Sequence, residues 1–167
     1  MNKIIVNYFK TSIGEFIIGS FDNKICIFDY RFRKRREELN SKIKKILCAE
    51  FEEGTNAVIE KSKQQLLEYL EEKRSTFEIP ILLIGTEFEK KVWEELSHIK
   101  YGETIHYLEL VKRINKKNAS RAVANANGRN SIAIIVPCHR VISINGSLGG
   151  YSGGVPIKRK LLELEKR

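Results

Sequence analysis

The sequence predicts an α+β chain of two domains, an antiparallel sheet with helices followed by a mainly α domain containing a helix-turn-helix. Three observations carry this. Short Ile- and Phe-rich stretches near the N-terminus are separated by turn-like residues. Apolar residues then recur at helical spacing from Leu39 onward. Beyond Gly85 the pattern becomes short amphipathic helices parted by polar breaks.

In chain order, Ile4 to Phe9, Glu15 to Gly19 and Lys24 to Tyr30 read as a meander, with turns at Ser12-Ile13-Gly14 and Phe21-Asp22-Asn23. Leu39, Ile43, Ile46 and Leu47 mark one helix. After a break at Gly54-Thr55-Asn56, Ile59, Lys63, Leu66, Leu67 and Leu70 mark another. Phe77 to Ile84 returns to an extended pattern around Pro80, which places the domains at 1–82 and 85–167. Thr86 with Glu89 is a capping-box pattern, opening a helix with the stripe Phe88, Val92, Trp93, Leu96 and Ile99. A second helix is predicted over Tyr107 to Ile114, with Leu108, Val111 and Ile114 on one side and Leu110 widening the stripe. A third runs from Ala119 to Ala126, closed by Gly128 as a C-terminal glycine. The intervening Asn115-Lys116-Lys117-Asn118 makes the pair a helix-turn-helix with lysines in its turn. Pro156 starts a final helix, with Ile157, Leu161, Leu162 and Leu164 inward.

With 42% hydrophobic residues and three prolines among 167, the chain can bury a core and is not a disordered basic tail. Its longest apolar runs, such as 79–84, fall far below the roughly 20 residues of a membrane span. The N-terminus turns polar too early for a signal peptide, so a cytoplasmic location is expected. Cys26, Cys48 and Cys138 make no disulfide framework. Cys26 and Cys48 read as small buried hydrophobes without a ligand set, and no metal is expected.

The net charge of +9 is unevenly spread. Residues 1–84 carry 15 basic and 13 acidic side chains, residues 85–167 carry 15 and 8. A concentrated positive field suits a polyanion, because each neutralised phosphate releases a counterion. The third helix is rich in alanine, which lets a backbone approach either a packed neighbour or a nucleic-acid groove. Arg121, a lone long cation among those alanines, reads as a reaching residue.

The apolar run Ile132 to Val136 leads into Pro137-Cys138-His139-Arg140-Val141. A cysteine nucleophile works as thiolate, so its ordinary pKa of about 8.5 must be lowered by a base or a cation. His139 and Arg140 supply both, and adjacent side chains make a bridging water the natural route from His139 to Cys138. The glycines of 146–154 suit a close wall around a flat ligand. No phosphate-loop pattern is present.

These residues together resemble the O6-alkylguanine-DNA alkyltransferase family. The resemblance rests on Gly85-Thr86-Glu87-Phe88 with Val92-Trp93, Tyr101-Gly102-Glu103-Thr104, Tyr107, Ser120-Arg121-Ala122-Val123, Asn130, Pro137 to Val141, Gly149 to Gly154 and Leu161 to Glu165. Asn115 to Asn118 lacks the family's usual glycine and proline, His106 stands where Ser is common, and Ser131 replaces a proline. The resemblance implies a ribonuclease-H-like support domain and a winged-helix-like catalytic domain. It implies irreversible transfer of an alkyl group from guanine O6 in duplex DNA to Cys138 after base flipping, by a cofactor-free monomer; activity on O4-alkylthymine stays open. In that family pattern His139 acts through water, Glu165 orients it and Asn130 braces the site. Tyr107, Tyr151, Ser152 and the Val141 carbonyl form the base pocket. Arg121 fills the vacated stack, Tyr107 crowds the adjacent phosphate, and Lys116 and Lys117 contact DNA. Two other readings remain: a helix-turn-helix binding module without chemistry, and a Cys-His hydrolase.

Overall fold

The computed structural model describes residues 2–116 and 118–166, so Lys117 lies outside the described residues. The chain separates into two compact units, residues 1–85 and 86–167.

In the first unit, β1 (Asn2–Thr11), β2 (Gly14–Phe21) and β3 (Lys24–Tyr30) form the antiparallel meander. Asp22 and Asn23 both take positive φ in the two-residue turn between β2 and β3, as a hairpin turn of this hand requires. Helix α1 (Arg36–Leu47) then leads into β4 (Ala49–Glu53), which pairs in parallel with β1 and makes the sheet mixed, in the order β3-β2-β1-β4. The expected meander therefore gains a fourth strand. Its sequence, Ala-Glu-Phe-Glu-Glu, has low intrinsic strand preference, and it is the exposed edge of β1 that makes it a strand.

Helix α2 (Ala57–Leu70) is capped by Asn56, whose side chain accepts from the Ile59 amide. Its buried face is Ile59, Ser62, Gln65, Leu66 and Tyr69, while the expected stripe residue Leu67 faces outward. Ile4, Val6, Ile17, Cys26, Ile27 and Ile43 form one core cluster. Phe16, Phe28 and Tyr30 stack at 4.7–5.2 Å in an aromatic group that Phe77 and Tyr69 extend. The extended stretch 77–84 makes a single bridge to β3, the Ile25 amide donating to the Pro80 carbonyl and Leu82 to that of Ile25; Pro80 itself has no N–H to lengthen the ladder. Burial pushes the Cys26 thiol up to about 12, which leaves it inert. Cys48, expected to be buried, is instead exposed in a left-handed turn that ends α1.

The second unit opens with α3 (Glu87–Leu96). Its capping box is complete: Thr86 Oγ1 accepts from the Glu89 amide at 3.0 Å, and Glu89 Oε1 accepts from the Thr86 amide at 2.9 Å. Thr86→Ala is expected to cost about 1 kcal/mol, read as a lowered melting temperature. Then come β5 (Ile105–His106), α4 (Tyr107–Ile114), α5 (Ser120–Gly128), a single 3₁₀ turn (Cys138–Arg140), β6 (Val141–Ile142) and α6 (Val155–Glu165). The buried side of α4 is Leu110 and Ile114, and Leu108 is 49% exposed rather than inward. Gly128 remains inside α5 and takes no left-handed φ, so the expected glycine cap is replaced by Arg129 as the closing residue. The Trp93 indole donates to the Ala126 carbonyl at 2.8 Å and ties α5 to α3.

Candidate active site

Pairing brings the site together. Strands β5 and β6 run parallel, with Ile105 opposite Val141 and His106 opposite Ile142. This fixes Tyr107, the first residue of α4, beside the segment that follows Cys138. Upstream, the apolar run 132–136 is buried apart from the half-buried Ile135, and it turns sharply. Ile134 holds a left-handed φ of 69°, a costly conformation for a β-branched residue. Asn130 clamps this turn, its Nδ2 donating to the Val136 carbonyl at 2.8 Å and its Oδ1 accepting from the Ile132 amide at 2.9 Å. The turn delivers Cys138 at 5% exposure, with its own amide bonded to Val136.

His139 and Glu165 are buried side by side, Nε2 to Oε2 at 2.7 Å. Arg140 brackets the same carboxylate through Nε at 2.8 Å and Nη2 at 2.9 Å, and its Nη1 donates to the Ile99 carbonyl. Arg140 is thus spent on Glu165, whereas the sequence had offered it as a cation for the thiol. Burial pushes the Glu165 carboxyl up, but hydrogen bonds from His139 and Arg140, together with the Arg140 charge, outweigh it and hold the group well below the usual carboxylate range. An ionised carboxylate only accepts, so the proton between them belongs to His139 Nε2. Burial also lowers the His139 pKa, against the pull of Glu165. The imidazole is therefore neutral, and its Nδ1, buried and without a partner among the described residues, carries the basic lone pair.

The remaining expected residues divide. Tyr107 is half-buried; burial, then the charge of Cys138, raises its pKa and keeps the phenol protonated, and Asn127 Nδ2 donates to its hydroxyl at 3.3 Å. The Tyr151 ring stands edge-on to His139 at 6.4 Å, and Ser152 Oγ is buried without a partner among the described residues. The Val141 carbonyl accepts from Lys158 Nζ at 2.7 Å. Arg121 and the small residues Ala122, Ala124 and Gly128 are exposed on α5, while Val123 and Ala126 are buried. Lys116 lies 4.9 Å from the Phe88 ring. No group of three metal-ligating side chains occurs among the described residues, and no described helix is long and apolar enough to cross a membrane.

Lys158 is the residue sequence reading missed. It is fully buried, and Nζ donates to Val141 O at 2.7 Å and Gly150 O at 3.2 Å, latching the glycine loop to the strand after Cys138. Burial lowers its pKa to about 8, with the charge of Cys138 acting in the opposite direction. Its one sequence signal was a lysine at helical spacing with Leu161 and Leu162, on the inward side of α6. Gly149 sits where these parts meet. A Cβ there would lie 3.3 Å from Ser143 Oγ, 3.5 Å from the Tyr107 ring and 3.7 Å from Lys158 Nζ, at a φ of +74°. Gly149→Ala is expected to cost about 1–2 kcal/mol of backbone strain, read as a lowered melting temperature.

The family model described as 6-O-methylguanine DNA methyltransferase, DNA binding domain, matches residues 87–167. The inducible methylated-DNA--protein-cysteine methyltransferase of Bacillus subtilis is 50% identical over 103 residues, covering 62% of this chain and 58% of that relative. The constitutive protein of the same organism is 37% identical over 165 residues, 96% of each chain. A crystal structure of Mycobacterium tuberculosis OGT in complex with DNA superposes with a TM-score of 0.80 at 34% identity, over 98% of this chain and 92% of that one. The chain belongs to the methylated-DNA--protein-cysteine methyltransferase family.

Proposed function

We propose that Cys138 is the residue at which this chain repairs DNA, accepting the alkyl group from O6 of guanine in one irreversible transfer. Repair of methylated DNA by alkyl transfer to a protein cysteine is the activity of the chain, and duplex DNA is its partner. The observation that carries the residue assignment is the neutral His139, oriented by an ionised Glu165, one residue from a buried cysteine. The thiol proton passes to His139 Nδ1 through a bridging water, and the thiolate attacks the alkyl carbon. A sulfur–carbon bond forms as the O6–carbon bond breaks, and the departing guanine takes up a proton. No cofactor enters this balance.

The target base reaches Cys138 only outside the stack, at an unstacking cost of a few kcal/mol. Tyr107, Tyr151, Ser152 and the Val141 carbonyl line the pocket that receives it, and Asn130 braces the turn beneath. The slim exposed face of α5 suits the minor groove, with Arg121 entering the stack and Lys116 and Lys117 meeting phosphates. Residues 1–82 serve as a support domain, which we read as ribonuclease-H-like from its β3-β2-β1-β4 order. Residues 85–167 hold a helix-turn-helix beside a two-stranded β5-β6 element, which supports a winged-helix-like reading. The protein acts as a monomer in the cytoplasm.

Duplex DNA carrying O6-methylguanine with a labelled methyl tests this. One label per chain is expected, on the peptide holding Cys138, with none added by a second dose of DNA. Label on the Cys26 or Cys48 peptide, or repeated turnover, would overturn the assignment. DNA binding without any label would make the chain a binding module.

A further inference from the structure

The near balance of charge in the first unit conceals a concentration. Five of the six residues Arg31-Phe32-Arg33-Lys34-Arg35-Arg36 are cationic, while the rest of 1–84 holds 10 basic and 13 acidic side chains. Arg31 to Arg35 form the turn between β3 and α1 and Arg36 opens the helix, and a buried carboxylate holds the run in shape. Asp29 on β3 is fully buried and accepts from Arg33 Nη1 at 3.1 Å and Arg36 Nη1 at 2.9 Å. Arg31 pairs with Glu15 and stacks 3.7 Å from the Tyr8 ring. Glu37 and Glu38 follow in the first turn of α1, where they answer the helix dipole. Lys34 and Arg35 are exposed, with no carboxylate partner among the described residues, and Arg35 takes a left-handed φ of 68° that turns it out of the helix.

Two further observations point to a ligand. Phe32 is 78% exposed in the middle of these cations, an apolar ring held open to solvent. Beneath it lies a concavity of about 390 Å³ lined by Tyr8, Ile17 and the arginines 31, 33 and 36, with Glu37 and Asn40 at its side. Arg36 is 7% exposed there, its Nε and Nη1 are used on Asn40 and Asp29, and its Nη2 is buried without an acceptor among the described residues. An orphaned guanidinium donor in such a place is destabilising until an acceptor arrives. A phosphate oxygen is the acceptor that fits a guanidinium fork flanked by two exposed cations.

We propose that residues 31–36 form a second DNA-backbone contact, separate from the helix-turn-helix, in which Lys34 and Arg35 meet successive phosphates. The Arg36 donor faces one of these phosphate groups and Phe32 packs on sugar or base. The naming of DNA as the polyanion rests on the proposed function; the site itself does not.

The test compares the full chain with Lys34→Ala/Arg35→Ala, two surface changes outside the Asp29 network. Binding to an unmodified duplex is followed by fluorescence anisotropy between 50 and 200 mM salt. Loss of two phosphate contacts lowers the salt slope by about 1.8, so the wild-type affinity should fall about tenfold more than the variant's over that range. Methyl transfer from the free modified base, which is too small to use the patch, should be equal in the two proteins. Equal salt slopes and affinities would overturn the proposal and favour an acidic protein as the partner. Failure of methyl transfer in the wild type would overturn the chemical reading and leave the binding comparison to judge the patch.

Discussion

Cys138→Ser is expected to leave a folded protein that binds duplex DNA and accepts no methyl group. The side chain is buried and its backbone amide bonds to Val136, so an isosteric hydroxyl keeps the packing and the turn. The chemistry does not survive. A neutral imidazole can draw a proton from a thiol of ordinary pKa near 8.5, but it cannot generate useful alkoxide from a hydroxyl. The single-turnover rate should fall by roughly 10⁴ or more, the scale seen when a nucleophile that works with its base is removed. Unchanged duplex affinity together with a lost rate is the expected pair of results, and appreciable transfer by the serine variant would place the acceptor elsewhere.

Glu165→Gln should lose both rate and stability, for reasons that can be separated. Three donors, from His139 and Arg140, converge on the carboxylate within 2.7–2.9 Å. An amide offers one oxygen and presents an N–H₂ to a donor. The imidazole then loses the acceptor that places its proton on Nε2, and the rate should drop by about 10²–10⁴. The buried guanidinium of Arg140 loses its counter-charge, at about 3–5 kcal/mol. Adding Arg140→Met should restore much of the stability while the rate stays low. The wild type also carries an acid signature. Because the folded Glu165 is held below its unfolded value, its stabilisation is complete above about pH 4.3 and is lost as pH falls further. Urea unfolding at a series of acidic pH values should show that slope in the wild type and a shallower one in the glutamine variant.

The chemical centre was legible in sequence where neighbours in the chain are neighbours in space. Pro137 to Val141 is a single turn, and the Thr86–Glu89 capping box is local by construction. The His139–Glu165 contact spans 26 residues and came from family resemblance, since no periodicity links a turn to the end of α6. Lys158 escaped because a lysine among leucines reads as a surface residue until the carbonyls of Val141 and Gly150 are seen to meet it. Strand β4 escaped because its charges hide a preference supplied by β1. The outward turn of Leu108 and the helical Gly128 reflect tertiary packing that a stripe count does not contain. Ile134 is the sharpest case, as nothing in Ile132-Ala133-Ile134-Ile135-Val136 announces a left-handed residue, and only the Asn130 clamp explains why it is tolerated.

Lys158 also sets a clock on the molecule. While Cys138 can carry negative charge, that charge offsets part of what it costs to keep an ammonium group in the interior. A cysteine that has taken an alkyl group is a thioether and can never be an anion again. Used protein is then left with a cation whose balancing partner has been chemically erased. On the proposed reading, a used molecule differs from a fresh one by the loss of a charge that Lys158 could answer, even when the transferred group is as small as a methyl.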